Sequence, residues 1–303
     1  MADTSVTLEP PVLLRLREPG RWAAVRDYTR RNPDMVVGLI IVVALLLVGL
    51  IGPFFVDVRQ AQPMRAVPGQ PPSARYPLGT DDQGRNLLAV MVVGLPLTLK
   101  IGFLAGAVGL SIGAILGLSA GYLGGITDTI ISMIVDIVLT VPGLLILITI
   151  AASIKTFISV EVLALVVASL AWPRPTRTIR SQVLTLRERG YIQVARRSGV
   201  STPEIILFQL LPNLLPYLAA TFVAAVSATI LASIGLEVLG LGPQNDPTLG
   251  MTIYWAINYN ALLRGMWWWW LPPIIAVVLM FVGLFLISSG MDEIANPRRR
   301  RVV

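Results

Sequence analysis

Residues 35–56 read MVVGLIIVVALLLVGLIGPFFV, an unbroken apolar run that contains no charged side chain. A helix needs about 20 mostly apolar residues to cross the roughly 30 Å hydrocarbon core of a bilayer. The run is therefore typical of a transmembrane helix, and it decides the class of protein to which the chain belongs.

Further segments of the same character follow, and they predict six spans. The predicted spans are residues 35–56, 101–122, 128–153, 158–175, 214–240 and 271–289. We therefore expect an all-α membrane protein with six transmembrane helices. Residues 35–290 form its membrane domain, residues 1–34 an N-terminal tail, and residues 291–303 a basic C-terminal tail.

The composition agrees with lipid as the main solvent. Of the 303 residues, 55% are hydrophobic and 14% are charged, whereas a soluble domain carries about 25% charged residues. Cysteine and histidine are both absent. Their absence excludes a disulfide framework and argues against a Ser-His hydrolase or a metal site, so no metal ligand is assigned.

The basic residues indicate the orientation. With six spans, the segments 1–34, 173–213 and 291–303 share one side and contain 17 basic residues, against six in the connections of the other side. Basic residues accumulate in cytoplasmic loops. Both termini and the connection 173–213 are therefore predicted to be cytoplasmic, and the net charge of +7 is assigned to the membrane surface rather than to nucleic acid.

Residues 57–96 are predicted to form a long external loop. Its first half is rich in proline, which favours irregular structure. Its second half, from Leu78 to Asn86, reads as a turn that leads into a helix, with Thr80 or Asp81 as the N-cap.

The connection 173–213 is too long and too patterned for a simple turn. Residues 176–198 are predicted to continue as a helix that ends at Gly199 in the left-handed conformation. A second helix starts at Ser201, which forms a capping box with Glu204. The element is either a surface hairpin or a docking element for a cytoplasmic partner.

Four motifs of this chain resemble those of permease subunits of ABC importers of the dipeptide/oligopeptide class. The segment YIQVARRSG (191–199), followed by Leu211-Pro212-Asn213, is similar to the EAA loop. In it Ala195, Gly199, Leu211 and Pro212 match, while Gln193 replaces the glutamate and Val194 the first alanine. The other similar segments are YPLGTDDQGRN (76–86), DIVLTVPGL (136–144) and Asn296-Pro297-Arg298.

The resemblance implies a type I importer permease core in which a short cytoplasmic coupling helix seats on an ATPase subunit. The implied coupling residues are Gln193, Val194, Ala195, Arg196, Arg197, Gly199, Leu211 and Pro212. The implied partners are a homologous permease, two ATP-binding subunits and an extracytoplasmic binding protein. The implied location is the plasma (inner) membrane of a bacterium or archaeon.

The chain itself is not expected to be an enzyme or to bind a cofactor. A P-loop requires a lysine directly after glycine, and neither Lys100 nor Lys155 follows one. ATP and Mg²⁺ are therefore expected on the partner ATPase subunits. The expected cargo is short peptides, with oligosaccharides as the alternative. An ion-coupled carrier or channel and a membrane-embedded enzyme stay open as remote alternatives.

Six glycines of the second predicted span lie on one helix face because their spacings are four, three, four, four and four. They are Gly102, Gly106, Gly109, Gly113, Gly117 and Gly121. Small residues allow helix backbones to approach closely in lipid. We expect this face to pack against a neighbouring helix, or to slide during alternating access.

Asp136 lies within the third predicted span, where a carboxylate costs about 2.5–3.5 kcal/mol on insertion scales. It is a candidate for the translocation pathway together with Pro142, although an internal arginine pair would also explain it. Glu161 and Glu237 are expected at the interface.

Trp267, Trp268, Trp269 and Trp270 precede the last span. They are predicted to anchor its outer end at the membrane interface, or alternatively to line an entrance and stack on a sugar.

Overall fold

The computed structural model describes residues 29 and 32–295, with side chains through residue 291. The predicted tails, with all their arginines and the Asn296-Pro297-Arg298 motif, lie almost wholly outside the described residues. The chain divides into two compact units, Met1–Pro33 and Asp34–Val303, and the second contains the long apolar helices.

The described residues form helices and no β-strand. In chain order the helices are α1 (Pro33–Ile51), α2 (Leu87–Leu123), α3 (Gly125–Thr140), α4 (Gly143–Ser153), α5 (Val160–Ala168), α6 (Pro173–Leu186), α7 (Gly190–Arg197), α8 (Thr202–Ile205), α9 (Leu211–Val238), α10 (Leu249–Asn258) and α11 (Trp267–Ala295). Two short 3₁₀ turns follow α1, and a π-helical segment, Ile206–Leu210, joins α8 to α9.

Four continuous helical stretches of the described chain are long and apolar enough to cross a membrane. They are Pro33–Phe54, Leu87–Leu123, Thr202–Val238 and Trp267–Met291. A fifth crossing arises if α3 and α4, which meet at an angle of 83°, are counted as one broken span. The prediction of a multi-span helical protein is confirmed at this level.

The fourth predicted span, residues 158–175, is not one continuous helix. Helix α5 has nine residues and ends at Ala168, and α6 begins afresh at Pro173. Proline has no N–H to donate, and its ring clashes with the carbonyl four residues earlier, so it opens a helix more readily than it continues one. The break therefore covers residues 169–172, directly before Pro173.

The bend between α3 and α4 also has a local cause. Val141 is extended, with φ −83° and ψ 134°, and Pro142 is the N-cap of α4. A residue that precedes proline is pushed out of the helical region. The third predicted span is thus a pair of helices with an elbow at residues 141–142.

The external loop is shorter than predicted because α2 starts at Leu87 rather than after residue 96. Its N-cap is Asn86, whose side chain accepts a hydrogen bond from the N–H of Leu88 at 3.0 Å. The predicted caps have other roles. Thr80 donates to the carbonyl of Val67 at 2.6 Å, and Asp81 is buried in an ion pair with Arg85, with Nε and Oδ2 2.6 Å apart. Burial raises the pKa of the Asp81 carboxyl, and the Arg85 guanidinium opposes that shift.

The six aligned glycines of α2 lie at its contacts with two other helices. A Cβ on Gly113 would lie 2.7 Å from Cβ of Pro175 and 3.0 Å from the carbonyl oxygen of Trp172. A Cβ on Gly117 would lie 2.8 Å from the carbonyl oxygen of Thr176. Gly109 and Gly121 also meet the segment 171–183, whereas Gly102 and Gly106 meet Val226 and Ile230 of α9. The glycine face therefore holds α6 and α9 against α2 at backbone distance.

A larger side chain on this face should separate the helices. Replacing Gly113 with leucine is expected to lower the stability of the detergent-solubilised protein by about 1–3 kcal/mol, the usual cost of overpacking. Ala107, which is exposed on the same helix, provides the control, because Ala107→Leu adds an apolar side chain without a helix in its way. Thermal unfolding measures both, and equal melting temperatures for the two variants would contradict the packing role.

Candidate functional site

Helix α7, with the turn that follows it, projects one face into the protein and one face outward. Ile192 and Ala195 are buried in a cluster with Ile179 and Val183 of α6 and Ile205 of α8. Apolar side chains buried in this way anchor the short helix, whose eight residues would not be stable alone. The element that includes α7, residues 198–201 and α8 is called the coupling elbow below.

The outward face of the coupling elbow combines apolar and cationic side chains. Val194 is 65% exposed, and Tyr191, Arg196 and Arg197 are exposed beside it. Arg196 also lies over the ring of Tyr122, with 5.5 Å between its Cζ and the ring centroid. An exposed valine flanked by arginines is the composition of a surface that a partner with apolar and acidic groups would cover.

Gly199 makes the turn of the coupling elbow. Its φ is +77°, and its N–H donates to the carbonyl of Arg196 while the N–H of Val200 donates to that of Ala195, each at 3.2 Å. These are the two hydrogen bonds of a Schellman motif. No atom lies within 4 Å of the position that a Cβ on Gly199 would take. Glycine is therefore required there by backbone conformation and not by lack of space.

The polar contact predicted at Ser201 differs from the sequence interpretation. Ser201 is the N-cap of α8, but its hydroxyl bonds to the Glu204 carboxylate at 3.4 Å and caps no backbone N–H. Neither of the two backbone hydrogen bonds of the predicted capping box is therefore formed. Gln193 lies where the family pattern has glutamate, and its amide donates to the carbonyl of Arg187 at 3.3 Å. It joins α7 to the end of α6.

No helix break occurs at Leu211-Pro212, since the helical path runs from Thr202 to Val238. The π-helical segment before it explains the tolerance of proline. The N–H of Leu211 bonds to the carbonyl of Ile206, five residues back. A wider turn of this kind relaxes the spacing in which the ring of Pro212 would otherwise clash.

Arginines of α6 connect it to α3. Arg180 binds Asp128 through two of its nitrogens, one of them 2.6 Å from Oδ2. Arg177 lies 3.3 Å from Asp136 at a more exposed position. Asp136, predicted as a pathway residue, therefore has the arginine partner of the alternative interpretation. It lines a small cavity of about 70 Å³ between these helices.

A larger groove lies on the other side of α6. Its volume is about 930 Å³, and its walls come from residues 138–147, 167–178 and 217–235, with Ser288 of α11. The α9 wall is formed mainly by small side chains, namely Ala220, Ala224, Ala225, Ala228 and Ala232. The elbow at Pro142 shapes it, since Val141 and Gly143 line it on either side. Asp136 does not line this groove, which is called the α9 groove below.

The four tryptophans do not share one environment. Trp267 is 51% exposed, as an interfacial anchor would be, but Trp269 is fully buried with Leu87, Ala256 and Met266. Trp268 packs on Gly79 and its indole N–H donates to the carbonyl of Thr80 at 3.3 Å. The interface prediction is wrong for Trp269. Its ring is unavailable for stacking because α2, α10 and the loop after α10 enclose it.

Glu237 was expected at the interface and is instead completely buried. Its carboxyl group lies against Thr248 and Gly250 at the N-terminal turn of α10. A side chain on Gly250 would overlap it. The sequence feature that could have indicated this burial is the glycine-rich turn after Glu237, which leads to Thr248, the N-cap of α10. Among the described residues, no group of three or more acidic side chains is arranged to hold a metal ion.

The chain is similar to known proteins in both sequence and fold. Residues 109–301 match the family described as binding-protein-dependent transport system inner membrane component. The dipeptide transport system permease protein DppC of Alkalihalophilus pseudofirmus is 30% identical over 92% of this chain and 90% of its own length. The oligopeptide transport system permease protein OppC of Mycobacterium tuberculosis is 32% identical over 76% of this chain and 79% of its own length.

Among solved structures, the MetNI methionine ABC transporter in an inward-facing conformation is similar, with a TM-score of 0.52 and 24% identity. The match covers 68% of this chain and 95% of that chain, and it shows the fold. The predicted resemblance to ABC importer permeases of the dipeptide/oligopeptide class is confirmed by these matches.

The ion pair between α3 and α6 is expected to contribute measurably to stability. Asp128→Asn and Arg180→Gln, with the double variant, should give a coupling free energy of about 0.5–1 kcal/mol from thermal unfolding, because the bidentate pair is partly shielded from water. The pair of Arg177 and Asp136 joins the same helices but is more exposed, so the same cycle there should give less. A larger coupling at the exposed pair would contradict this ranking.

Proposed function

This chain belongs to the family of binding-protein-dependent transport system inner membrane components, and on that premise we propose that it forms half of the translocation pathway of an ABC importer. In this proposal the coupling elbow seats on a cytoplasmic ATPase subunit. The other half of the pathway is a homologous permease, two ATP-binding subunits supply the energy, and an extracytoplasmic binding protein delivers the cargo.

The observation that carries the proposal is the two-sided character of the coupling elbow. Ile192 and Ala195 hold α7 to the protein, while Val194 and Arg197 face outward. A surface helix that served only to close a loop would gain nothing from an exposed valine. A partner that buries Val194 and neutralises Arg197 would make both residues favourable.

The contacts between the coupling elbow and the helices that it packs on would transmit mechanical force. The cluster under α7 includes Val183 of α6, and α6 lies on the glycine face of α2 at backbone distance. Arg180 then ties α6 to Asp128 of α3, the first part of the bent pair that borders the α9 groove. A displacement of α7 would therefore move the groove wall, since close-packed elements shift as units.

The α9 groove is the proposed half of the pathway. It is open on one side, and its alanine-rich wall is smooth enough for cargo to pass without specific side-chain pockets. The homologous permease would supply the opposite wall. Pro142 contributes to the pathway through the bend that it creates between α3 and α4. Asp136 has no place in this pathway and acts in the proposal as part of the link between α3 and α6.

Short peptides are the proposed cargo. The two named relatives are dipeptide and oligopeptide permease proteins, and each matches at least three quarters of this chain. Oligosaccharides stay the alternative cargo. Trp269 is buried and cannot stack on a sugar, whereas Trp267 is exposed. Selection among peptides would rest largely on the binding protein.

The proposed topology keeps six crossings and both termini in the cytoplasm. Helix α5 with the turn at residues 169–172 would complete the sixth crossing, because Leu163, Ala164 and Val167 are buried against neighbouring helices. In this topology the coupling elbow lies on the cytoplasmic side, which the arginines of residues 173–213 support. ATP and Mg²⁺ would be bound by the ATPase subunits, and this chain would perform no hydrolysis.

Gly199 provides the test of the coupling role. In Gly199→Val the left-handed turn is strained by about 1–2 kcal/mol or more, because a β-branched residue disfavours positive φ. We expect the complex reconstituted in proteoliposomes to lose most ATP-driven uptake, while the variant still inserts into the membrane.

Gly190→Val is the matched control. Gly190 also has open space around its Cβ position but no positive φ, so uptake should survive. Gly199→Asn should retain intermediate uptake because asparagine tolerates the left-handed region. Wild-type uptake by Gly199→Val, in a complex that contains the ATPase subunits, would refute the coupling role.

A further inference from the structure

Arg174 is the only charged residue in the part of the chain that the structure describes whose side chain lines the α9 groove. It shares this face of α6 with Thr178, one helical turn further on. The opposite wall presents the hydroxyl-bearing side chains of Tyr217 and Thr221 among alanines. The groove thus contains one positive charge against mainly apolar walls.

Arg174 differs from the other arginines of α6 and its C-terminal end. Arg177 pairs with Asp136, Arg180 with Asp128, and Arg187 with Glu188. Within the described residues Arg174 has neither an acidic partner nor a side-chain hydrogen bond. The three paired arginines are explained by contacts inside the protein, and Arg174 is not.

Helix stability does not explain Arg174 either. It lies in the first turn of α6, where no acidic residue accompanies it. A cation at this end of a helix is unfavourable by about 0.3–1 kcal/mol because the backbone dipole is positive there. Pro173 and Pro175 on either side are buried and fix the backbone that carries it. The backbone that carries Arg174 is therefore fixed beside the groove, and its exposed side chain adds a positive charge at the groove wall.

On the basis of the proposed function, we infer that Arg174 binds a carboxylate of the cargo peptide as it passes through the α9 groove. Guanidinium matches carboxylate geometry with two parallel hydrogen bonds. Apolar walls strengthen the attraction relative to open water. Arg174 would then act as a specificity-determining residue of the permease itself, favouring cargo with a free carboxylate over neutral or cationic cargo.

The test compares matched peptides in the complete importer, with its binding protein and ATPase subunits, in phosphatidylcholine proteoliposomes. One pair is a tripeptide and its C-terminal amide, and a second pair is Ala-Glu-Ala-amide and Ala-Gln-Ala-amide. For each pair the maximal ATP-driven uptake rates give a ratio of acid to neutral cargo. The binding protein is the same throughout, so a change of this ratio between permease variants reports the permease alone.

Arg174→Gln should lower the ratio about threefold to fivefold in the pair whose carboxylate is recognised, the size expected for a partly hydrated ion pair. The first pair reports the terminal carboxylate and the second a side-chain carboxylate. Arg174→Lys should restore part of the ratio because it keeps the charge without the bidentate geometry. Arg177→Gln, which removes one charge from the same helix outside the groove, should leave the ratio unchanged.

An unchanged ratio in Arg174→Gln for both pairs overturns the inference, as does an equal loss of uptake for all four peptides, which would mark a structural or lipid-headgroup role. A matching change in Arg177→Gln would show a general effect of charge and overturns it too. If the wild-type importer takes up none of the peptides, the proposed cargo is wrong and the inference falls with it. If the wild-type importer takes up the peptides and Arg174→Gln leaves the ratio unaltered, the inference about Arg174 is wrong while the proposed function stands.

Discussion

The close approach of α6 and α9 to the glycine face of α2 is the contact on which the rest of the structure depends. Lipid offers no hydrophobic drive for one apolar helix to prefer another, so association relies on tight packing and on hydrogen bonds. At Gly113 and Gly117 the backbone of α6 takes the place that side chains would occupy. At Gly102 the hydroxyl of Thr229 adds a hydrogen bond of 3.0 Å to the helix carbonyl.

This contact also determines where the coupling elbow lies. Helix α7 alone is too short to be stable, and it acquires its position from the cluster that it shares with α6. In the proposed coupling, α6 cannot move away from α2 without losing this close contact, so motion of α7 would be directed along the helices or towards α3. The ion pair of Arg180 and Asp128 then makes the bent helix pair part of the same body.

The charges of α6 divide between these tasks according to the helix face on which they lie. Arg177 and Arg180 face α3 and its carboxylates. Arg174 faces the groove, where no carboxylate of the described chain meets it. One short helix thus combines a structural link with a positively charged wall. The two faces exist because α6 begins as a separate helix at Pro173. A continuous span through residues 158–175 would not contain this helix start.

Local patterns were enough to find the spans at residues 35–56, 214–240 and 271–289, the glycine face of α2, and the turn at Gly199. Each depends on the composition or conformation of nearby residues, which the sequence contains in full. The same patterns named Thr80 or Asp81 as the helix N-cap instead of Asn86, because only the folded external loop shows Thr80 and Asp81 bonded elsewhere.

The tertiary structure alone decided which polar and aromatic residues are buried and which charges are paired. Glu237 and Trp269 have sequence neighbours typical of an interface, yet Glu237 is covered by the start of α10, and Trp269 by α2 and α10. Arg174, Arg177 and Arg180 are equivalent in sequence and differ only in what lies opposite them. The physical reason is that burial and electrostatic pairing are properties of surfaces brought together from different helices, whereas helix formation and hydrophobic length are properties of one continuous segment.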